Sequence, residues 1–369
     1  MHKIVKYLGL DVHKSSIVIA SAHSGRNNEV KYTGTIDNDM KQLDKIIRKY
    51  ISQGFDVDCV YEAGPCGYHI YRHLTGNGIK CSVIAPSRIP RQSGDRVKTD
   101  RRDAEALARL HRAGELTPVY VPTPEDEALR DLVRAREDSK QSLRRAKQQL
   151  GAFLLRRSLV YPGKTSWSKA HFNWLADITM KHPAQQIVLQ EYIDTICNCQ
   201  ERVNRITKQI HELSEQSRLK PLIDALASMR GISSLIATIL AVELGDLNRF
   251  DYPEQLMAYV GLIPSEHSSG PRVRKGAITK TGNGHVRKAV VEAAQAYRLP
   301  ARKSRAILKR QEGVPEKIQA ISWKAQCRLC DRYRRLTGKG KKANVAKIAV
   351  ARELVGFAWA VSREIPEAA

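Results

Sequence analysis

The sequence predicts an α/β N-terminal domain, a helical coiled-coil middle and a mainly α C-terminal region, and three observations carry that expectation. Residues 4–36 alternate or run β-branched in short stretches, which is the pattern of strands. Beyond Pro122, apolar residues recur every three or four positions, the spacing of helices that bury one stripe. The third observation is charge: 62 Lys and Arg stand against 38 Asp and Glu, a net +24. Residues 301–350 hold 15 cations and 3 anions, so they supply +12 of that +24. An excess of this size argues for a polyanionic partner, most simply DNA or RNA, and says nothing of fold.

At 369 residues the chain can build two or three domains with cores of their own. We divide it into residues 1–122, 123–220 and 221–369, with Pro118, Pro122 and Pro124 at the first boundary. No apolar run approaches membrane-spanning length, nothing at the N-terminus resembles a signal peptide, and the 7 cysteines form no disulfide framework. A reduced, cytoplasmic protein without a membrane partner is expected. Cys327 and Cys330 form a lone C-x-x-C in a helical pattern, without the second pair that a zinc finger needs.

In the first region, Tyr7–His13 alternates, Ile17–Ala22 is continuously apolar or small, and Val30–Ile36 alternates again after a turn at Ser24-Gly25-Arg26-Asn27-Asn28. Short connections make these an antiparallel meander. A helix capped near Asp37 or Asn38 follows, with Met40, Leu43, Ile46, Ile47 and Tyr50 on its stripe. Then come strand Val57–Tyr61, helix Tyr68–Leu74, strand Lys80–Ala85 and a helix from about Thr99. That order, a meander and then alternating strands and helices, is that of a ribonuclease-H-like domain.

The acidic residues fall where such a fold would use them. Asp11 lies in the first strand and Glu62 ends the fourth, before Ala63-Gly64-Pro65 breaks it. Asp100 and Asp103 stand three apart at a helix start and so point the same way. In this topology the first and fourth strands are neighbours, which gathers all four carboxylates at one end of the sheet. Close carboxylates repel unless cations sit between them, and hard oxygen ligands suit Mg²⁺ or Mn²⁺. A pair of such ions polarises a phosphodiester and activates its attacker. Singly, Asp100 and Asp103 could serve only a helix terminus or a surface pair, and Glu62 only a turn. Asp11 is harder to dismiss, because a central strand rarely carries an unpaired charge.

The middle region carries two seams. Leu129, Leu132, Arg136, Ser139, Leu143, Ala146, Leu150 and Phe153 form the first; Leu189, Tyr192, Ile196, Cys199, Val203, Ile206, Ile210 and Leu213 form the second. Such helices either pack on each other or join subunits, and a contribution to oligomerisation is expected. Arg130, Arg134, Lys140, Arg144, Arg145 and Lys147 form polar faces expected to be solvated, with a sign that suits a nucleic-acid backbone. Further on, Leu226–Ser233 reads as helix, glycine turn, helix. Gly231 would there offer backbone N–H groups to a phosphate.

Ser265, Ser268 and Ser269 sit between Pro264 and Gly270-Pro271, where no regular element is expected. Arg272, Arg274, Lys275 and Lys280 follow, and Gly282-Asn283-Gly284 turns the chain into a helix bearing His285, Arg287 and Lys288. A hydroxyl on a tight glycine turn, ringed by cations, is how a protein would present a nucleophile to a phosphodiester. Read by themselves, these serines could equally cap the turns of a basic surface hairpin.

Several stretches resemble the insertion-sequence family one-ten transposases: LGLDVHK at 8–14, YEAG at 61–64, KTDRRDAEALARL at 98–110, MRGIS at 229–233, ELGDLNRF at 243–250, AYVGLIP at 258–264, SSG at 268–270 and ITKTGNGHVRK at 278–288. The likeness runs in order from about residue 4 to 360. It implies a RuvC-like domain whose Asp11, Glu62, Asp100 and Asp103 bind metal, and a transposase domain in which Ser269, preceding Gly270, is the nucleophile. It also implies donor and target DNA, a structured bridge RNA as guide, a tetramer, and a home among the nucleoid DNA of bacteria or archaea. Three alternatives remain open at this point. One is a junction-resolvase-type nuclease in which water attacks; another is a DNA invertase of the same family; the third is a non-enzymatic nucleic-acid-binding protein.

Overall fold

The computed structural model describes residues 4–24, 29–90, 99–270 and 272–365, which form two compact units, residues 1–121 and 122–369. The expected turn at Gly25–Asn28, the start of the motif at Lys98, and Pro271 lie outside the described residues.

In the first unit β1 (Val5–Val12), β2 (Ser16–His23) and β3 (Lys31–Asp37) form the meander, and α1 (Met40–Ser52) leads to β4 (Asp56–Glu62). Then come α2 (His69–Gly76), β5 (Lys80–Ile84) and α3 (Asp100–Arg112). The five strands lie in the order β3-β2-β1-β4-β5. β1 pairs antiparallel with β2 and parallel with β4, so the first and fourth strands are neighbours, as expected. Asp39, not Asp37 or Asn38, caps α1 by accepting the Lys41 N–H. Asn38 is otherwise engaged, its amide donating to the His13 carbonyl at 2.9 Å.

Alternation along the strands divides the core. Leu8, Leu10, Cys59 and Tyr61 pack with Leu43 and Ile47 of α1 and Ile70 and Leu74 of α2. The other face of the sheet carries Val18, Ala20, Val60 and Ile84 against Ala104, Leu107 and Ala108 of α3. The helix comes down close over β1: a Cβ placed on Gly9 would stand 2.2 Å from the Ala104 carbonyl oxygen. Glycine at 9 and alanines at 104 and 108 are what permit that approach.

The second unit opens with α4 (Pro124–Leu155), α5 (Lys169–Ala176) and α6 (Pro183–Glu215). Phe153 meets the ring of Tyr192, Arg136 donates to Thr207, and Arg218 pairs with Asp126. As residue number falls on α4 it rises across from it, so the long helices run antiparallel. Their seams face each other: Leu143, Leu150 and Phe153 are buried with Leu189, Ile196 and Val203, while Leu213 at the end of the second seam is exposed. The remaining helices are α7 (Lys220–Ala227), α8 (Ser234–Leu244), α9 (Pro253–Tyr259), α10 (Gly284–Ala293), α11 (Arg305–Gln311), α12 (Glu316–Gly338) and α13 (Ala343–Ser362). They share a core with the base of the long hairpin through Leu129, Val133, Ile206 and Ile210.

The cationic face of α4 is solvated only in part: Arg144 and Arg145 are exposed, while residues nearer its start are engaged by the packing. Arg130 is buried and donates to the Val242 carbonyl at 2.8 Å. Arg134 grips both oxygens of buried Glu243 at 2.8 and 2.9 Å. The charge of Glu243 dictates this: an isolated carboxylate at the end of α8 would be expensive to bury, and an arginine fork satisfies both oxygens. Farther along, Lys147 lies over the Trp167 ring at 5.1 Å.

Candidate active site

The last paired residues of β1 and β4 are Leu10 and Tyr61. Asp11 and Glu62 take the next step on each strand, side by side at the same end of the sheet. Because Leu10 and Tyr61 face α1 and α2, Asp11 and Glu62 face the side that α3 covers. Thr99 caps α3 by accepting the Arg102 N–H, which puts Asp100 and Asp103 in the first helical turn at that side. The topology brings the three stretches to one end of the sheet, but among the described residues only Asp11 and Asp100 of the four carboxylates come close enough to share an ion, and Glu62 and Asp103 stand outside that group.

Burial pushes the Asp11 carboxyl up from its ordinary range; His13 opposes the rise, while Asp100 and Asp103 add to it. Two charges of the same sign beside a half-buried acid are an arrangement that a cation relieves. Sequence reasoning missed one member of the group. His13 places Nε2 at 3.2 Å from Asp11 Oδ2 and 3.4 Å from Asp100 Oδ2. Donor atoms of Asp11, His13 and Asp100 all lie within 4.8 Å of one another. The signal was present, since residues 11 and 13 share a face at a strand end. Two carboxylates and an imidazole within that span suit a divalent ion, so the residues fit the metal that the fold implies.

In the second unit the serine segment differs from expectation. Ser265 belongs to strand β6 (Pro264–Glu266), which pairs antiparallel with β7 (Lys275–Ile278), so the segment is a hairpin and not an irregular loop. Strand pairing supplies the backbone partners that the Pro- and Gly-rich composition hid. The ladder resumes beyond the strands: the His267 N–H donates to the Arg274 carbonyl at 2.9 Å, and Ser269 and Arg272 exchange both backbone bonds at 3.2 Å. Ser269 therefore stands at the hairpin tip. The Ser268 hydroxyl donates to Glu266 Oε1 at 2.7 Å and accepts the Arg274 N–H at 3.3 Å. Ser269 is exposed, and its hydroxyl makes no hydrogen bond to another described residue.

The candidate nucleic-acid contacts divide by environment. Arg272, Arg274, Lys275 and Lys280 are exposed. Arg287 instead donates to the Val260 and Thr281 carbonyls at 2.8 and 2.9 Å, and Lys288 pairs with Glu137 of α4. Gly231 has φ +82°, and a Cβ there would stand 2.2 Å from the Ala293 carbonyl oxygen. The turn between α7 and α8 thus needs glycine to pack on α10. Among the described residues no helix is long and apolar enough to cross a membrane.

A meander-plus-parallel sheet with acidic residues at the ends of two neighbouring strands and at the start of the covering helix has the layout of the DEDD class of nucleic-acid enzymes. Residues 8–158 match the model of the DEDD transposases, and residues 223–308 match that of the IS116/IS110/IS902 transposase family. The chain is 45% identical to protein y4qE of Sinorhizobium fredii, which carries a transposase name, over 97% of this chain and 88% of that one. It is 32% identical to the transposase for insertion sequence element IS1533 of Leptospira borgpetersenii, over 91% and 98% of the two chains. The transposase for insertion sequence element IS1111A of Coxiella burnetii is 24% identical over 80% and 78%. The chain belongs to the IS110 family of transposases, enzymes that cut and transfer DNA strands.

Proposed function

We propose that this transposase cleaves DNA through a covalent phosphoserine formed by Ser269, with Asp11, Glu62, Asp100 and Asp103 as its metal-binding acidic set. The observation that favours Ser269 over its neighbour is the contrast at the hairpin tip: Ser268 has its hydroxyl committed to Glu266 and the Arg274 N–H, and Ser269 does not. In the attack, Ser269 Oγ loses its proton and bonds to phosphorus while the bond from phosphorus to the deoxyribose oxygen breaks, and that oxygen takes up a proton and leaves as a free hydroxyl. The phosphoester retains the energy of the broken bond, so strands can be rejoined without ATP. Arg272, Arg274 and Lys275 on the same hairpin, with Lys280 beyond it, would hold the neighbouring phosphates.

A divalent ion, Mg²⁺ or Mn²⁺, would supply Lewis acidity at the phosphate and ease loss of the serine proton. The family resemblance extends the proposal to a bridge RNA as guide and to a tetramer around donor and target DNA in the cytoplasm. Leu155, Val160 and Ile187 are exposed where the long hairpin ends, which supports use of that end in self-association.

Denaturing electrophoresis of the protein with element-end DNA tests the proposal. A protein–DNA adduct that survives denaturant is expected, and Ser269→Ala should abolish it while leaving DNA binding intact. Undiminished cleavage by Ser269→Ala would put water in place of the serine, as in a junction resolvase.

A further inference from the structure

We propose that His13 is a nitrogen ligand in the metal site and gives that site a preference for Mn²⁺, or a similar first-row ion, over Mg²⁺. The inference rests on the metal-site reading of the acidic set and adds a donor outside it. Nε2 of His13 is 3.2 Å from Asp11 Oδ2 and 3.4 Å from Asp100 Oδ2. Adjacent ligands on an octahedron with bonds of about 2.1 Å stand about 3.0 Å apart. His13 therefore stands from each carboxylate at nearly the spacing of neighbouring ligands, and all three donor atoms lie within 4.8 Å of one another.

The imidazole is also held by its backbone. The His13 N–H donates to the Ser16 carbonyl at 2.8 Å, and its own carbonyl accepts from the Asn38 amide at 2.9 Å. Asn38 stands next to Asp39, the cap of α1, so the residue bearing the imidazole is tied to a helix start as well as to the strand. A purely oxygen-lined site serves Mg²⁺ well. A neutral imidazole binds Mg²⁺ weakly and first-row transition ions strongly, so one nitrogen among carboxylates shifts the balance toward Mn²⁺.

The experiment is electron spin-echo spectroscopy and calorimetric titration of the full-length protein with Mn²⁺ and with Mg²⁺, comparing wild type, His13→Ala, His13→Gln and Asp11→Asn. We expect a ¹⁴N coupling to bound Mn²⁺ in the wild type that is absent from both His13 variants. Mn²⁺ affinity should fall about tenfold or more in His13→Ala, with Mg²⁺ affinity much less changed. Mn²⁺ bound in an Asp11-dependent manner without nitrogen coupling would overturn the role of His13 and leave the acidic site standing. Mn²⁺ binding that Asp11→Asn does not weaken would overturn both.

Discussion

Asn283 donates from its side-chain amide to Glu243 Oε2 at 2.7 Å while its own Oδ1 accepts the N–H groups of His285 and Val286 at 2.9 and 3.1 Å. One side chain thereby caps α10 and ties that cap to the buried carboxylate that Arg134 grips from α4. The segment returning from the serine hairpin is fixed to the base of the long helical pair through this residue. Replacing Asn283 by Ala removes both cap bonds and one partner of a buried charge. A loss of about 1–2 kcal/mol in denaturant unfolding is expected; unchanged stability would show that the cap is dispensable.

The pH dependence follows from the same carboxylate. Burial raises the Glu243 pKa, but bonds from Arg134 and Asn283 outweigh it, and the group lies below its ordinary 4.5. A carboxyl depressed in the folded state contributes stability that is complete above about 4.5 and is lost as pH falls through the lower folded value. Wild-type protein should lose stability through that acid window more steeply than Glu243→Gln. Parallel acid-unfolding curves for the two would contradict this.

Asp11 carries the opposite sign. Its pKa is raised in the folded protein, so its ionised form opposes folding at neutral pH when no cation is present. Asp11→Asn should match or exceed the wild type in metal-free Tm. Saturating Mn²⁺ should then raise the wild-type Tm by several degrees and leave the variant unmoved. Equal metal shifts in both proteins would remove Asp11 from the site.

The basic residues near the hairpin should separate into two kinds. Arg272→Ala is expected to weaken DNA binding and to lower the slope of log affinity against log salt by about 0.9, the effect of one phosphate contact. Arg287→Ala should instead lower thermal stability, because its guanidinium holds the Val260 and Thr281 carbonyls together. A salt slope reduced by Arg287→Ala with no loss of stability would reverse that assignment.

Much of the first unit was legible in the sequence because strand alternation and short connections leave few ways to order the sheet. The places of Asp11, Glu62, Asp100 and Asp103 on their elements were readable for the same reason: each sits at the end of a strand or in the first turn of a helix. His13 escaped because its value depends on distances to Asp11 and Asp100, which lie on different elements. The serine hairpin escaped because Pro264, Gly270 and Pro271 read locally as breakers, while pairing of Glu266 with Lys275 is a cross-strand property. Arg130 and Arg134 read as solvated because their partners, Val242 and Glu243, stand more than a hundred residues away.

The most direct test of cooperation between Ser269 and the acidic set uses DNA with a phosphorothioate at the scissile phosphate. Sulfur is a poor ligand for Mg²⁺ and a tolerable one for Mn²⁺. Formation of the Ser269 adduct should slow sharply with Mg²⁺, recover with Mn²⁺ in the wild type, and stay slow with Mn²⁺ in Asp11→Asn. Equal adduct rates for sulfur and oxygen in Mg²⁺, or full Mn²⁺ rescue of Asp11→Asn, would mean that the metal site and the serine do not act on the same phosphate.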